Sequence, residues 1–335
     1  MAGNEKSGVR IMYKIILILY VVAVLITSAC SKTGQGVGNP LEKPSDTFKY
    51  PSTEVGSILD GEKCKKIKDV TWDHTYNVVD GLDYYQMKVV TDAGLDQDIY
   101  LLKVDLSKGL EAKVAISSET TSSVWMRQEL SKMAVHVHSS QKPLYAIVNA
   151  DFCDNREPIK PRGPVHSDGV IWASTYSLDP QYPQQGLSYV GITDEGRMVI
   201  GSREDYEAAK HTLKECTGAG VILVQDSKIQ GGMVDAKTKR DPRTAIGYTG
   251  DNEVWILVVD GRHGTLGMLY PEMASIFHSL GCEAAVNLDG GGSTEMIVRN
   301  PLTNDLQICN WPSDPTDGDG GVERPRPTAW AIVKK

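Results

Sequence analysis

The run from Ala284 to Leu288 is largely apolar and ends in an acid, Asp289. Three glycines follow (Gly290, Gly291, Gly292), then Ser293 and Thr294, and a second apolar run covers Met296 to Val298. This pattern constrains the fold more than any other stretch. Two short buried strands must be joined by a turn that is costly to order, since each glycine loses more backbone freedom on folding than any other residue. Such a turn is justified where backbone N–H groups must approach an anion with no Cβ in the way. The expectation is a strand-end acid, Asp289, beside an anion cradle made by the amides of Gly290–Gly292, with Ser293 and Thr294 adding hydroxyls. The plainer alternative is a tight loop between two strands.

Two further apolar runs end in the same way. Leu144 to Val148 leads into Asn149-Ala150-Asp151-Phe152, and Val254 to Val259 leads into Asp260-Gly261-Arg262. Rigid sheets aim loop residues from their ends, so three acid-tipped strands point to one cleft. Each acid taken alone could equally be a turn residue or a helix cap. Asp289, Asp260 and Asp151 are therefore the candidate catalytic carboxylates. Asn149 and Asn287 are candidates to bind substrate. Two arginines stand among prolines that fix their backbone, Arg243 in Asp241-Pro242-Arg243-Thr244 and Arg162 in Pro161-Arg162-Gly163-Pro164. A guanidinium presents a planar fork that suits phosphate, so both are candidate phosphate ligands.

The remaining patterning places these ends in a strand-rich protein. Tyr84–Val90, Ile99–Leu106 and Leu110–Ile116 read as antiparallel strands, and Leu187–Ile192 with Arg197–Ile200 flank a hairpin turn at 194–196. Apolar spacing predicts a helix over Ser122–Val137. A second helix is predicted over Pro271–Leu280, with proline at its start and Gly281 at its end. Strands outnumber helices and neighbours are joined by hairpins. The predicted class is α+β, with a mixed, largely antiparallel sheet core and flanking helices. The 335 residues, 41% hydrophobic, suffice for one large core or two small ones.

At the N-terminus, Lys14 precedes an apolar run from Ile15 to Ile26, and Thr27-Ser28-Ala29-Cys30 follows. The run is short for a bilayer span, which takes about 20 residues. Small residues before a cysteine resemble a bacterial lipoprotein signal, which makes Cys30 the expected lipidation site. The expected location is the cell envelope, lipid-anchored and either periplasmic or at the outer membrane. A cleaved, freely secreted protein is the alternative. The expected organisation is a signal over 1–30, a tether over 31–60 and a small strand-rich region over 61–109 packed on a main domain over 110–335. Beyond Cys30 there are five cysteines, an odd number, so at least one thiol is left over.

A net charge of −8 argues against a nucleic-acid partner, which would require a basic face. Any anionic ligand must be held by a local site. His136 and His138, two apart on the predicted helix, point away from each other and make a poor metal pair. Asp314, Asp317 and Asp319 lie in a Gly-rich loop and could hold a hard cation, Ca or Mg; a solvated acidic loop is the plainer reading. The glycine run lacks the Lys of a P-loop, and no Gly-x-Ser-x-Gly elbow is present.

Taken in order, Asn149-Ala150-Asp151-Phe152, Gly163-Pro164-Val165-His166-Ser167-Asp168-Gly169, Asp241-Pro242-Arg243-Thr244-Ala245-Ile246-Gly247, Val259-Asp260-Gly261-Arg262, Asn287 to Thr294 and Arg326-Pro327-Thr328-Ala329 resemble the phosphodiester glycosidase family over roughly residues 110–333. The resemblance implies cleavage between an anomeric carbon and a phosphate oxygen in a sugar-1-phosphodiester of the N-acetylglucosamine type. The substrate would be a small-molecule or glycan sugar phosphate. The family's site residues fall on Asp151, Arg243, Asp260, Asn287, Asp289, Gly290, Gly291 and Ser293. The chain departs from the family at Ala150-Asp151-Phe152-Cys153, where several relatives carry a Gly-Gly-Phe-Phe type sequence. Metal-assisted cleavage of the phosphorus–oxygen bond, and glycan binding without catalysis, are the competing functions.

Overall fold

The computed structural model describes residues 50–154, 156–233, 239–250, 252–314 and 321–335. The expected signal, Cys30, most of the expected tether, and Asp317 and Asp319 lie outside the described residues.

Three antiparallel sheets organise the described residues. The largest has eight strands: β1 (Ile67–Val79), β2 (Leu82–Thr91), β3 (Asp96–Asp105), β11 (Ile222–Gln225), β12 (Lys228–Ile229), β13 (Arg243–Tyr248), β14 (Glu253–Val259) and β15 (Ala284–Asn287). Their spatial order is β1-β2-β3-β14-β13-β15-β11-β12. A second sheet, ordered β17-β16-β5-β18-β4, contains β4 (Leu110–Ile116), β5 (Leu144–Asn149), β16 (Met296–Arg299), β17 (Leu306–Ile308) and β18 (Thr328–Lys334). The third, ordered β7-β6-β10-β8-β9, contains β6 (Val165–Ser167), β7 (Val170–Ala173), β8 (Ser188–Thr193), β9 (Met198–Ser202) and β10 (Leu213–Ala219).

Alternation along the strands sets the layers. On β14, Val254, Ile256 and Val258 enter a central core fed by all three sheets. The intervening Trp255, Leu257 and Val259 face the other way, onto helices α1 (Glu54–Leu59) and α3 (Tyr270–Ser279). On β18, Trp330 and Ile332 enter the central core, whereas Ala329, Ala331 and Val333 pack with residues of α2 (Leu130–Val137). Because β14 and β18 are covered on both faces, their runs are continuously apolar. Trp330 is fully buried and satisfies its one donor, Nε1–H, on Thr217 Oγ1 of β10 at 3.0 Å, which ties the second sheet to the third.

The strand-rich part of the expectation matches this architecture; the helices are few and short. Two local expectations are corrected. The predicted helix over 122–137 is confined to Leu130–Val137. Residues 120–128 instead form a loop in which Thr120 Oγ1 accepts from Met126 N–H and Gln128 pairs its backbone with Arg326. The tether does not extend to residue 60: Thr53 caps α1, which buries Val55 and Leu59. Within residues 61–109, β3 pairs with β14 along Ile99–Asp105 and continues the largest sheet. All five cysteines beyond Cys30 are free thiols, four of them buried. No helix among the described residues is long and apolar enough to cross a membrane.

Candidate active site

The antiparallel register brings the acid-tipped ends together. Arg243 opens β13 opposite Val259, so the start of β13 lies beside the ends of β14 and β15. β5 ends at Asn149, and Asn149 fastens two sheets. Its Nδ2 donates to the Asp289 carbonyl at 2.7 Å, and its Oδ1 accepts from Thr244 Oγ1 at 2.7 Å and from the Glu295 amide at 3.1 Å. Asp289 N–H completes the join on the Ala150 carbonyl. Asn149 is therefore a buried rivet behind Asp289. Asn287 is likewise buried and donates to the Leu288 carbonyl.

At this junction a cavity of about 160 Å³ is lined by Asp241, Arg243, Arg262, Tyr270, Asp289, Gly290, Gly291, Arg324 and Arg326, together with Phe152, Cys153 and three residues of the 182–185 loop. Four guanidinium groups thus face two carboxylates, in a protein whose net charge is −8. The local excess of positive charge suits an anionic ligand.

Arg326 and Asp289 form the centre. Arg326 Nη2 lies 2.9 Å from Asp289 Oδ2 and also meets Ser293 Oγ, while Nη1 donates to Cys153 Sγ at 3.1 Å. Burial works against the Arg326 charge, but Asp289 and Cys153 hold its pKa above the ordinary value. Burial pushes the Cys153 thiol up, against the pull of Arg326. The other carboxylate oxygen, Asp289 Oδ1, accepts from Gly290 N–H at 2.9 Å.

Arg243 stacks on the Tyr270 ring with its Cζ 4.5 Å from the centroid. Its Nε donates to the Met268 carbonyl at 3.0 Å and Nη2 to the Lys239 carbonyl at 2.6 Å. A two-pronged bond from Arg240 to Glu272, in the first turn of α3, fixes the loop that delivers it. Arg262 grips Asp241 with two bonds of 2.9 and 3.2 Å. Arg324 pairs with Asp314 at 2.9 Å.

Several expected site residues are placed elsewhere. The Asp260 carboxylate does not line the cavity. It is buried and accepts from Tyr100 Oη (2.9 Å), Asn310 Nδ2 (3.1 Å) and the Trp311 amide (3.0 Å), which suits a residue that anchors the 310–311 loop. Burial raises its pKa against those three bonds. Arg162 is taken up by Asp154 (2.9 Å) and Asp179 (3.2 Å) in a neighbouring groove. The glycine amides do not form a joint cradle: Gly290 donates to Asp289, and Gly291 donates to the Pro242 carbonyl at 2.8 Å. Ser293 contacts Arg326, and Thr294 is buried and does not line the cavity. His138 Nδ1 meets the Leu144 amide and Arg299, and among the described residues no three His, Cys, Asp or Glu side chains converge as metal ligands.

Asp151, expected as a catalytic carboxylate, is buried and does not line the cavity, although the next residue, Phe152, does. The Asp151 oxygens accept from the Phe152 amide at 2.7 Å and the Gly163 amide at 2.9 Å. Burial pushes its pKa up to about 8, opposed by those two bonds and reinforced by Asp289. The folded pKa exceeds the unfolded value of about 3.9. Its contribution to stability is therefore full below about pH 4 and is lost as pH rises toward 8. Ionisation there also adds negative charge near a site built for an anion. The expected result is a decline of kcat/KM as pH rises through about 8 on an anionic substrate. That limb should disappear in Asp151→Asn; an unchanged limb in the variant would assign it to another group.

Arg324, Arg326 and Arg262 are not among the site residues expected from the sequence, although Arg262 and Arg326 stand in motifs that carry the family resemblance. Arg324 and Arg326 carry the same signal that marked Arg243, arginine locked among prolines, in Arg324-Pro325-Arg326-Pro327.

With this geometry in hand, comparison with known proteins decides the family. The family model described as phosphodiester glycosidase matches residues 142–333, more than half of the chain and the whole of the cavity lining. The chain belongs to the phosphodiester glycosidase family. A solved phosphodiester glycosidase, the zebrafish N-acetylglucosamine-1-phosphodiester alpha-N-acetylglucosaminidase catalytic domain auto-inhibited by its pro-peptide, superposes with a TM-score of 0.58 at 17% identity. The match covers 78% of this chain and 87% of that one. A hypothetical protein from Synechocystis gives 0.56 at 16% identity, over 80% and 64% of the two chains. At these identities the likeness is one of fold. The SPbeta prophage-derived uncharacterized protein YomE of Bacillus subtilis is 33% identical over 143 residues, which is 37% of this chain and 22% of that relative. This chain thus spans well under half the length of that curated relative.

Proposed function

We propose that the protein hydrolyses sugar-1-phosphodiesters of the N-acetylglucosamine type by breaking the bond between the anomeric carbon and the phosphate oxygen. The observation that carries this reading is the cavity in which Arg243, Arg262 and Arg324 accompany the Asp289–Arg326 pair. A phosphomonoester leaves readily, so protonating it adds little. The demand is to neutralise charge on the departing phosphate and to stabilise a sugar ring that becomes positive. Arg243, Arg262, Arg324 and Arg326 meet the first demand. Asp289 meets the second, either attacking the anomeric carbon or activating the water that does. The C–O bond breaks with its electron pair going to phosphate, and a water oxygen ends on the sugar. Arg326 holds the Asp289 carboxylate in place for that step, and Cys153 and Ser293 orient Arg326.

On this reading the enzyme acts outside the cytoplasm, carried there by the N-terminal segment and anchored through Cys30. The test is turnover of a synthetic N-acetylglucosamine-1-phosphodiester in ¹⁸O-labelled water. Free sugar bearing the label, with unlabelled phosphomonoester, is the expected outcome. Label in the phosphate would mean phosphorus–oxygen cleavage and would overturn the proposal, as would saturable binding without turnover.

A further inference from the structure

Beside the reaction cavity lies a larger groove of about 540 Å³, lined by Met126, Arg127, Glu157, Asp314, Arg324 and Pro325. Arg324 lines both spaces, so they adjoin. The groove wall is rigid. Gln128 and Arg326 exchange two backbone hydrogen bonds of 2.9 and 2.8 Å, and Met126 N–H is held by Thr120 Oγ1 at 3.0 Å. Arg127 therefore stands between two restrained neighbours, one of which pairs with Arg326 itself. Its charge is near enough to the cavity to pull on the Cys153 thiol.

The charged groups on this wall differ in how they are engaged. Asp314 is taken by Arg324 at 2.9 Å, and Glu157 Oε2 accepts from the Ile159 amide at 3.2 Å. Arg127 is half-buried and makes no hydrogen bond or ion pair with any described residue. An arginine pre-positioned by its backbone, with its fork unused, is suited to an oxyanion that arrives with the ligand. The scissile diester already has four guanidinium groups in the cavity, so it does not require Arg127.

We propose that this groove receives the leaving group of the substrate and that Arg127 binds a second phosphate carried on it. The preferred substrate class is then a sugar-1-phosphodiester whose aglycone bears a further phosphate, in preference to one with a neutral aglycone. This rests on the glycosidase reading above and narrows its substrate.

The test compares two N-acetylglucosamine-1-phosphodiesters with the same alkyl aglycone, one ending in a methyl group and one in a phosphate monoester. At low salt the wild-type protein should prefer the phosphate-ended diester on the order of tenfold in kcat/KM, carried by KM, which is the scale of one charge-assisted contact. Added salt should erode the preference. Arg127→Gln should bring the ratio of the two substrates close to one, and Arg127→Lys should restore part of it. Equilibrium dissociation constants for the same two compounds are measured alongside. If neither diester turns over, the glycosidase reading fails, and the binding ratio still judges the groove. A wild-type ratio near one in both measurements, or a ratio that survives Arg127→Gln in a variant with unchanged melting temperature, would overturn the proposal.

Discussion

Asp289→Asn should lower kcat/KM on a sugar-1-phosphodiester by about 10³-fold, roughly 4 kcal/mol in the barrier. The side chain keeps its shape, so what is lost is the negative charge that, on the proposed mechanism, faces the anomeric carbon. Arg326→Ala should lose a similar factor, and the double variant should lose little more than either single one. The two groups are paired at 2.9 Å and act as a unit. Both are buried, so each single substitution also leaves a charge without its partner, a loss of about 3–5 kcal/mol in stability in the worst case. Denaturant unfolding must therefore accompany the kinetics. The informative control is Asp260→Asn. Its carboxylate accepts from Tyr100, Asn310 and Trp311 outside the cavity, so the expected effect is on stability, about 1–3 kcal/mol, with a smaller effect on the chemical step. Should Asp260→Asn abolish turnover in a fully folded protein while Asp289→Asn retains it, the assignment of the two acids is reversed.

By local pattern alone these two aspartates look alike, because each follows an apolar run. What separates them is the direction of each carboxylate after the strand ends, which depends on partners far away in the chain. Asp260 finds Asn310 fifty residues later, and Asp289 finds Arg326. Local pattern carries no information on such distant pairings. It does carry strand ends and hairpins, because period-two alternation and turn residues are local properties. β2, β3 and β8 with β9 fall where alternation places them. The helix expected over 122–137 failed for a related reason. Helical spacing from Val124 to Leu130 was overridden when Gln128 paired its backbone with Arg326, about two hundred residues away. Arg243 was legible because proline fixes its neighbours. Arg324 and Arg326 carried the same mark, but without a strand-end acid beside them nothing local tied them to the site.

The triple glycine has a different purpose from the one its composition suggests, and Gly292→Ala exposes it. A Cβ on Gly292 would run into the Arg324 guanidinium, and one on Gly291 would stand 2.7 Å from Arg262 Nη2. The run is bare so that two guanidinium groups can lie against it. Neither position loses its N–H on substitution by alanine, so an anion held by amides would survive the change. An anion held by the arginines would not, because Arg324 must swing away from the cavity. Gly292→Ala should therefore lower kcat/KM by roughly 10²-fold, the scale of losing one aligned cationic contact to the departing phosphate. Arg324→Ala should lose about as much, and the combination should lose no more than the single variants, since the alanine at 292 acts only through the side chain that is gone. Gly291→Ala differs in kind. Its φ of +62° places an L-residue in the left-handed region, which adds about 1–2 kcal/mol of strain to the loss of Arg262 geometry. A Gly292→Ala protein with full activity, or additive losses in the double variant, would show that Arg324 does not meet the phosphate and that the glycines serve only the turn.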